Sequence, residues 1–72
     1  MLKGIPDKTG FYWVRWFDPS WMQRPLTELA HFHPSHGFQF YSDEGKWDMD
    51  KVRATDFEYR FIEPPNEHTT GY

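Results

Sequence analysis

The feature that most constrains this chain is a run of seven residues, 11–17, that contains only one charged side chain. In an extended strand, successive side chains point to opposite faces of the sheet. The run therefore divides into two sets: Phe11, Trp13, Arg15 and Phe17 on one face, and Tyr12, Val14 and Trp16 on the other. A strand with two apolar faces lies either in the centre of a sheet covered on both sides, or in a small closed barrel that leaves one face for a partner.

The size of the chain makes aromatic rings its main source of burial. Seventy-two residues allow a single domain, 1–72, in which burial only just offsets the ordering of the chain. The chain has seven Phe, four Tyr and four Trp residues, and each such ring buries about 150–250 Å². We therefore expect an aromatic core. A domain this small leaves some rings uncovered, and a homodimer or a partner protein is a natural way to bury them.

Charge and cysteine content indicate the setting of the protein. The chain has no cysteine and shows no basic segment followed by an apolar stretch, so nothing indicates secretion. The aromatic run is too short to cross a bilayer. We therefore predict a cytoplasmic protein without a membrane-inserted segment. The net charge of −3 and the pI near 5.7 lack the basic excess of duplex-binding proteins, which makes nucleic acid a less favoured partner.

Turn signals divide the middle of the chain into short strands. Residues 26–33 alternate and predict a second strand, while 26–30 also suits a short helical turn because Leu, Glu and Ala are good helix formers. Residues 38–41 predict a third strand after a connector of hairpin length. The segments 18–26 and 46–55 stay open, the second as a loop, a short helix or an irregular edge strand.

The clearest strand comes last, at 57–61, where aromatic residues alternate strictly with charged ones. Residues 1–10 are expected to form an ordered lead-in, and 66–72 a loose tail. Short connectors favour antiparallel neighbours. We therefore predict a mainly β fold, either a small antiparallel sheet or an SH3-like barrel of four to five strands, with room for one short helix.

A cluster of histidines is the one group with a metal-like spacing. His31 and His33 share a strand face, and His36 follows in the next turn. No cysteine and no second histidine pair completes a zinc site. Solvated or packing histidines are the commoner outcome of such a pattern, so we predict no metal site and no cofactor, with these three residues as the weak candidates.

Acidic residues crowd one loop, at Asp43, Glu44, Asp48 and Asp50. Their spacing lacks the twelve-residue pattern of an EF-hand, so a solvated loop is the simplest interpretation. The alternative is that this acidic loop pairs with a basic surface on a partner protein, where its charge raises the rate of association.

Two other chemistries find little support in the sequence. Ser20, Ser35 and Ser42 lie in turns without the flanking glycines of a nucleophile elbow, and no glycine-rich phosphate loop is present. We therefore predict that the protein is not an enzyme. Aromatic residues interleaved with arginines suit the stacking of single-stranded bases on a small barrel, and single-stranded nucleic-acid binding remains the alternative function.

The first and last strands carry a resemblance to a known group of proteins. Residues 10–16 read GFYWVRW, and residues 57–65 read FEYRFIEPP. In this respect the chain resembles small phage and prophage proteins of unknown function, which often open on a G-[FWY]-Y-W-V-R strand and close on an aromatic strand ending in Glu-Pro-Pro. The resemblance implies a mobile-element accessory protein that binds host machinery directly, including anti-CRISPR-like inhibition of a host defence or regulatory protein. It supplies no site residues.

The sequence thus predicts a non-catalytic protein that binds a host or phage protein. Trp16, Trp21 and Trp47 are the candidate anchors, because each lies at a strand end or in a connector rather than in the middle of an alternating face. The alternative for these tryptophans is that they cap the core. The candidate charged residues around the anchors are Arg15, Asp43, Glu44 and Asp48.

Overall fold

The computed structural model describes residues 1–63 of the chain, so the predicted tail at 66–72 lies outside the described residues. These residues form one open antiparallel sheet of six strands and one short helix. The elements are β1 (Leu2–Lys3), β2 (Gly10–Trp16), β3 (Leu26–His33), β4 (Gly37–Phe40), β5 (Lys46–Trp47), α1 (Met49–Ala54) and β6 (Phe57–Ile62). The predicted mainly β class is confirmed, with the sheet realised rather than the barrel.

Strand β2 lies inside the sheet, whose order is β1-β6-β2-β3-β4-β5. It pairs with β3 on one side and β6 on the other, so that Trp13 lies opposite both Leu29 and Arg60. Strand β6 therefore does not follow β5 as a meander would. The chain crosses through α1 and returns to insert its last strand between β1 and β2.

The segments that the sequence left open have definite structures. Residues 26–30 are strand rather than helix, because β3 pairs with β2 from Leu26 onwards. The segment 46–55 contains a two-residue edge strand followed by a helix of six residues. Asp48 starts this helix by accepting a hydrogen bond from the Lys51 backbone N–H at 2.9 Å, as an N-cap residue does. No helix in residues 1–63 is long and apolar enough to cross a membrane.

The core lies on one face of the sheet. The even-numbered residues of β2 and β3 point to this face, and Val52 of α1 packs on it from above. The buried apolar residues are Tyr12, Val14, Trp16, Met22, Ala30, Phe32, Phe38, Phe40, Trp47, Val52 and Phe57. Since α1 packs on this side, the part of the sheet formed by residues 1–63 is covered on one face, and the odd-numbered face of β2 is left open by the described residues.

Many aromatic pairs in this core meet edge to face, and others are tilted. The Phe38 ring lies 5.5 Å from the Phe57 ring and 6.1 Å from the Tyr12 ring, both nearly perpendicular. The Trp16 and Trp47 rings meet at 5.1 Å with an angle of 77°. Pairs of this kind contribute about 0.5–1.5 kcal/mol each beyond the area they bury. The rings therefore supply both the volume and the specific geometry of the core.

Gly37 is the position where the backbone approaches most closely. It begins β4 with φ of +92°, and a Cβ added there would lie 2.0 Å from the carbonyl oxygen of Trp47. Gly4 has a similar φ of +105°, yet a Cβ there meets nothing within 4 Å. Both glycines have a positive φ, and they differ in the space available for a Cβ atom.

We expect Gly37→Ala to destabilise the domain much more than Gly4→Ala. The Gly4 substitution carries only the cost of the left-handed backbone, about 1 kcal/mol, while the Gly37 substitution also forces two backbone segments apart, which adds about 2 kcal/mol or more. Urea unfolding followed by tryptophan fluorescence measures both. Equal losses of unfolding free energy would contradict the close approach of β4 and Trp47.

Candidate functional site

Two of the three predicted anchors are core residues. Trp16 is 6% exposed and Trp47 is 1% exposed. The register explains both positions, because Trp16 is an even-numbered residue of β2 and Trp47 lies opposite the buried Phe38 in the β4–β5 pair. Their prediction as surface anchors is therefore corrected, and the alternative that they cap the core holds for these two rings.

Trp21 is the predicted anchor that lies on the surface, with 60% of its area exposed. It belongs to a turn held by Asp18. The Asp18 carbonyl accepts a hydrogen bond from the Met22 N–H at 2.8 Å, and its carboxylate accepts bonds from the Ser20 N–H and hydroxyl at 2.9 and 2.6 Å. These bonds to Ser20 lower the pKa of the Asp18 carboxyl. The exposed ring thus stands on a locally ordered turn.

The predicted acidic residues have different roles. Glu44 accepts a hydrogen bond from the Trp47 indole Nε1–H at 2.7 Å, which ties the 41–45 loop to the core. Asp48 is the exposed N-cap of α1, and its Oδ1 accepts a hydrogen bond from the Lys51 N–H. Asp43 is exposed. The acidic loop is thus partly structural, and Asp48 has a capping role in addition to its predicted role at a partner surface.

Several predicted residues meet at one end of the sheet. A groove of about 370 Å³, here named the edge groove, lies between β3 and the 41–45 loop. Its lining contains two rings and three carboxylates and no basic side chain. The lining residues are Trp16, Trp21, Leu26, Glu28, Ser42, Asp43 and Glu44. The structure therefore brings together four of the sequence-predicted residues, Trp16, Trp21, Asp43 and Glu44.

A second surface, here named the open face, is the sheet face opposite the core. Phe11 and Trp13 stand on it from β2 with 45% and 42% of their area exposed. Residues directly opposite in register share a face, which adds Leu29 from β3 and Ile62 from β6. Arg15 lies on the same face, two residues beyond Trp13. It is the predicted partner-binding residue that the open face contains.

One end of the open face deepens into an apolar groove of about 740 Å³ between residues 8–10 and the end of β6. Trp13, Leu29 and Ile62 contribute to its lining. The Lys8 Nζ stands 4.4 Å from the centre of the Phe61 ring, so a cation borders the apolar surface. A groove of this volume and character accommodates an apolar side chain of a partner.

The three histidines do not converge on one point. The His31 ring packs edge-on against Phe11 at 5.0 Å, on the open face. The His33 and His36 rings lie 4.7 Å apart, and His33 Nδ1 accepts a hydrogen bond from the Ser35 N–H. Within residues 1–63, no three His, Asp or Glu side chains are placed to hold a metal ion. The geometry assigns these histidines to packing and to the turn.

Sequence reasoning missed Leu29 and Ile62 as surface residues. The alternation of β3 put Leu29 on the same side as His31, but only the register with β2 shows that this side is the open face.

Comparisons of the chain with models of protein families, with curated proteins and with solved structures found no match.

The division of the tryptophans gives a stability test. We expect Trp16→Ala and Trp47→Ala each to lower the free energy of unfolding by about 3–5 kcal/mol, because a buried ring is lost. Trp21→Ala is expected to change it by about 0.5 kcal/mol or less, because the ring is mostly exposed. Thermal unfolding by circular dichroism compares the three variants. Loss of the native spectrum in Trp21→Ala would place that ring in the core.

The Asp18 turn gives a prediction on pH. Because its pKa is lower in the folded chain than the usual 3.8, Asp18 adds stability above that value, and this stability is lost as the pH falls through the folded pKa. Titration of the side-chain carboxyl carbon by NMR is expected to give a pKa below 3.8. Ser20→Ala is expected to move the pKa back towards 3.8, and an unchanged pKa in that variant would refute the assignment.

Proposed function

We propose that this protein is a non-catalytic binding domain that recognises another protein through its open face. The observation that carries the proposal is that Phe11 and Trp13, on an interior strand of the sheet, remain 45% and 42% exposed although the opposite face of the same strand is buried. Contiguous apolar patches with polar margins are typical of protein interaction surfaces.

The composition of the open face supports a protein partner. Aromatic and aliphatic side chains form its centre, and Arg15 and Arg60 stand beside them on the same face. Trp and Arg are the residue types most enriched among the positions that dominate binding energy. The apolar groove next to Leu29 and Ile62 is suited to the deepest contact, because an apolar side chain placed there is removed from water.

The biological setting of the proposal comes from the sequence. The GFYWVRW and FEYRFIEPP segments resemble those of small phage and prophage proteins, and this supports a mobile-element accessory protein in the host cytoplasm. The partner in that case is a host or phage protein, and inhibition of a host defence or regulatory protein is the consequence of covering its surface. This part of the proposal rests on analogy with those proteins.

The protein-binding proposal is tested by capture from a bacterial host lysate followed by mass spectrometry. A Phe11→Ala, Trp13→Ala double variant is expected to lose a protein that the unmodified chain retains, because both rings leave the open face. Phe17→Ala is the matched control, since Phe17 is also 45% exposed but follows the end of β2. Affinity for the identified partner, measured with purified proteins, is expected to fall at least about 30-fold in the double variant.

The matched control makes the outcome decisive. Circular dichroism is expected to show native spectra for both variants, because all three rings are nearly half exposed and lie outside the buried core. Equal affinity of the double variant and the unmodified chain would contradict the proposal, and so would an equal loss in Phe17→Ala.

A second candidate function is single-stranded nucleic-acid binding on the same face, and one observation favours it. By register, Arg15, Arg60 and Lys46 all share the open face with the exposed rings, and Glu58 opposes Arg15 there. Exposed aromatics with neighbouring cations are what base stacking and phosphate contact require. The local charge of the open face is thus more basic than the net charge of the chain.

Fluorescence anisotropy with a labelled twelve-nucleotide oligo(dT) tests this candidate. If the open face binds single strands, the affinity is expected to fall steeply as NaCl rises from 50 to 200 mM, because phosphate contacts release counterions. Arg60→Gln is expected to reduce the salt dependence, and Arg53→Gln on α1 serves as the control. No change of anisotropy at 50 mM NaCl would remove this candidate and leave protein binding.

A further inference from the structure

The edge groove lies beside a strand edge that β4 leaves unpaired. Strand β3 extends from Leu26 to His33, but β4 pairs with it only from Ala30 onwards. The Tyr41 N–H still donates to the Leu29 carbonyl at 3.3 Å, after which the chain turns away through the 41–45 loop. The first three residues of β3 are therefore paired with β2 on one side and open on the other.

The direction of the backbone groups follows from that last hydrogen bond. In an antiparallel strand, the N–H and C=O groups of alternate residues point to the same side. Because the Leu29 carbonyl points towards β4, the N–H and C=O of Thr27 point to the same, open edge. Within residues 1–63, neither group of Thr27 has a hydrogen-bond partner on that edge. An unpaired donor and acceptor on a strand edge are a template for another strand.

The side chains of the groove select the charge of such a strand. Glu28, Asp43 and Glu44 border the groove, and its lining contains no Lys, Arg or His. The Trp47 indole holds Glu44 through Oε2, which orients this carboxylate before any ligand arrives. Lys51 lines the neighbouring cavity, with its Nζ 5.8 Å from the centre of the Trp47 ring. The charge of the groove therefore complements a cation.

The exposed Trp21 ring adds a second preference for a cation. Trp21 lines the groove with 60% of its area exposed on its turn, whereas Trp16, also in the lining, is a core ring that is 6% exposed. A lysine or arginine side chain packs its methylene groups on an exposed ring such as Trp21, and its charged end is attracted to the ring face. The apolar and acidic parts of the groove thus fit the two parts of one long basic side chain.

We propose that the edge groove is the docking site of an extended peptide segment of a partner protein that carries a lysine or arginine. The segment pairs with β3 through the N–H and C=O of Thr27. One residue of the segment lies opposite Thr27. The next residue of the segment points to the same face as Leu26 and Glu28, because side chains alternate along both strands. That residue is the basic one, and its side chain enters the groove between Trp21 and the carboxylates.

The sequence restricts which molecule supplies the basic side chain. Residues 64–72, outside the described part, contain no lysine or arginine. This segment therefore does not supply the basic side chain. The edge groove is also separate from the open face, since Leu26 and Glu28 lie opposite Trp16 and Val14 on the core side of the sheet. A variant can therefore lose binding at one of the two docking sites and keep binding at the other.

The test uses an acetylated seven-residue peptide that alternates threonine and valine around a central arginine, added to the full ¹⁵N-labelled chain. NMR is expected to show shifts of the Thr27 amide and the Trp21 indole N–H. A peptide with glutamine in place of arginine is expected to bind at least about five-fold more weakly. A peptide N-methylated at alternate residues is expected to lose binding, because its strand donors are removed.

Variants of the protein separate the two parts of the site. The Glu28→Gln, Asp43→Asn double variant is expected to lower the affinity for the arginine peptide about five-fold and to leave the affinity for the glutamine peptide unchanged. Thr27→Pro removes the edge donor, and its N–H side faces the unpaired edge, where proline is tolerated. The Phe11→Ala, Trp13→Ala double variant is expected to bind the peptide normally, which distinguishes failure here from failure of the open face.

Three outcomes would overturn the proposal. The first is equal affinity for the arginine and glutamine peptides. The second is a set of shifts centred on Phe11 and Trp13 instead of Thr27 and Trp21. The third is a concentration-dependent shift of the Thr27 amide without peptide, accompanied by dimer formation in analytical ultracentrifugation, which would make a second copy of this chain the occupant.

Discussion

The double pairing of β2 is the constraint on which the rest of the structure depends. This strand has β3 on one side and β6 on the other. Which of its residues face the core therefore fixes which residues of the neighbouring strands face the core. Helix α1 packs on the even-numbered side through Val52. Tyr12 and Val14 are therefore 2% and 0% exposed, while Phe11 and Trp13 are nearly half exposed. Within residues 1–63, one six-residue helix covers one face of the sheet and leaves the other exposed.

The four tryptophans show how register decides the use of a side chain. Trp16 and Trp47 meet in the core, and Glu44 holds the Trp47 indole from the loop above. Trp13 and Trp21 are exposed, one in the middle of the open face and one on the Asp18 turn. All four have the same side-chain chemistry. For the three rings that lie in strands, Trp13, Trp16 and Trp47, the separation follows from which side of the sheet each backbone position faces, whereas Trp21 lies in a turn outside the sheet.

The net charge of −3 conceals an uneven distribution of charges. Arg15, Arg60 and Lys46 share the open face, while Glu28 and Asp43 border the edge groove on the other side. A net charge describes the field at long range, whereas recognition at contact depends on the charges of one patch. The two surfaces are therefore suited to partners of different charge, which the summed composition does not show.

The sequence by itself determined the class of the fold and the strands of strongest alternation. The strands at β2 and β6 were predicted within a residue or two, because alternation at period two is a local property that needs no partner. The aromatic core was predicted from the composition, which likewise requires no knowledge of which strands pair. The segment after residue 46 stayed open, since its two-residue strand is defined by pairing with β4 rather than by its own pattern.

The tertiary structure alone decided which face is covered and which residues meet. Both faces of β2 are apolar, so local pattern could not tell that Trp16 is buried and Trp13 is not. Only the crossover through α1, which places the helix on one side and β6 beside β2, breaks that symmetry. The edge groove likewise depends on β4 ending opposite Ala30, so that it does not pair with the first residues of β3. Long-range pairing fixes these features because it joins residues far apart in the chain, and alternation within a strand carries no information about its neighbours.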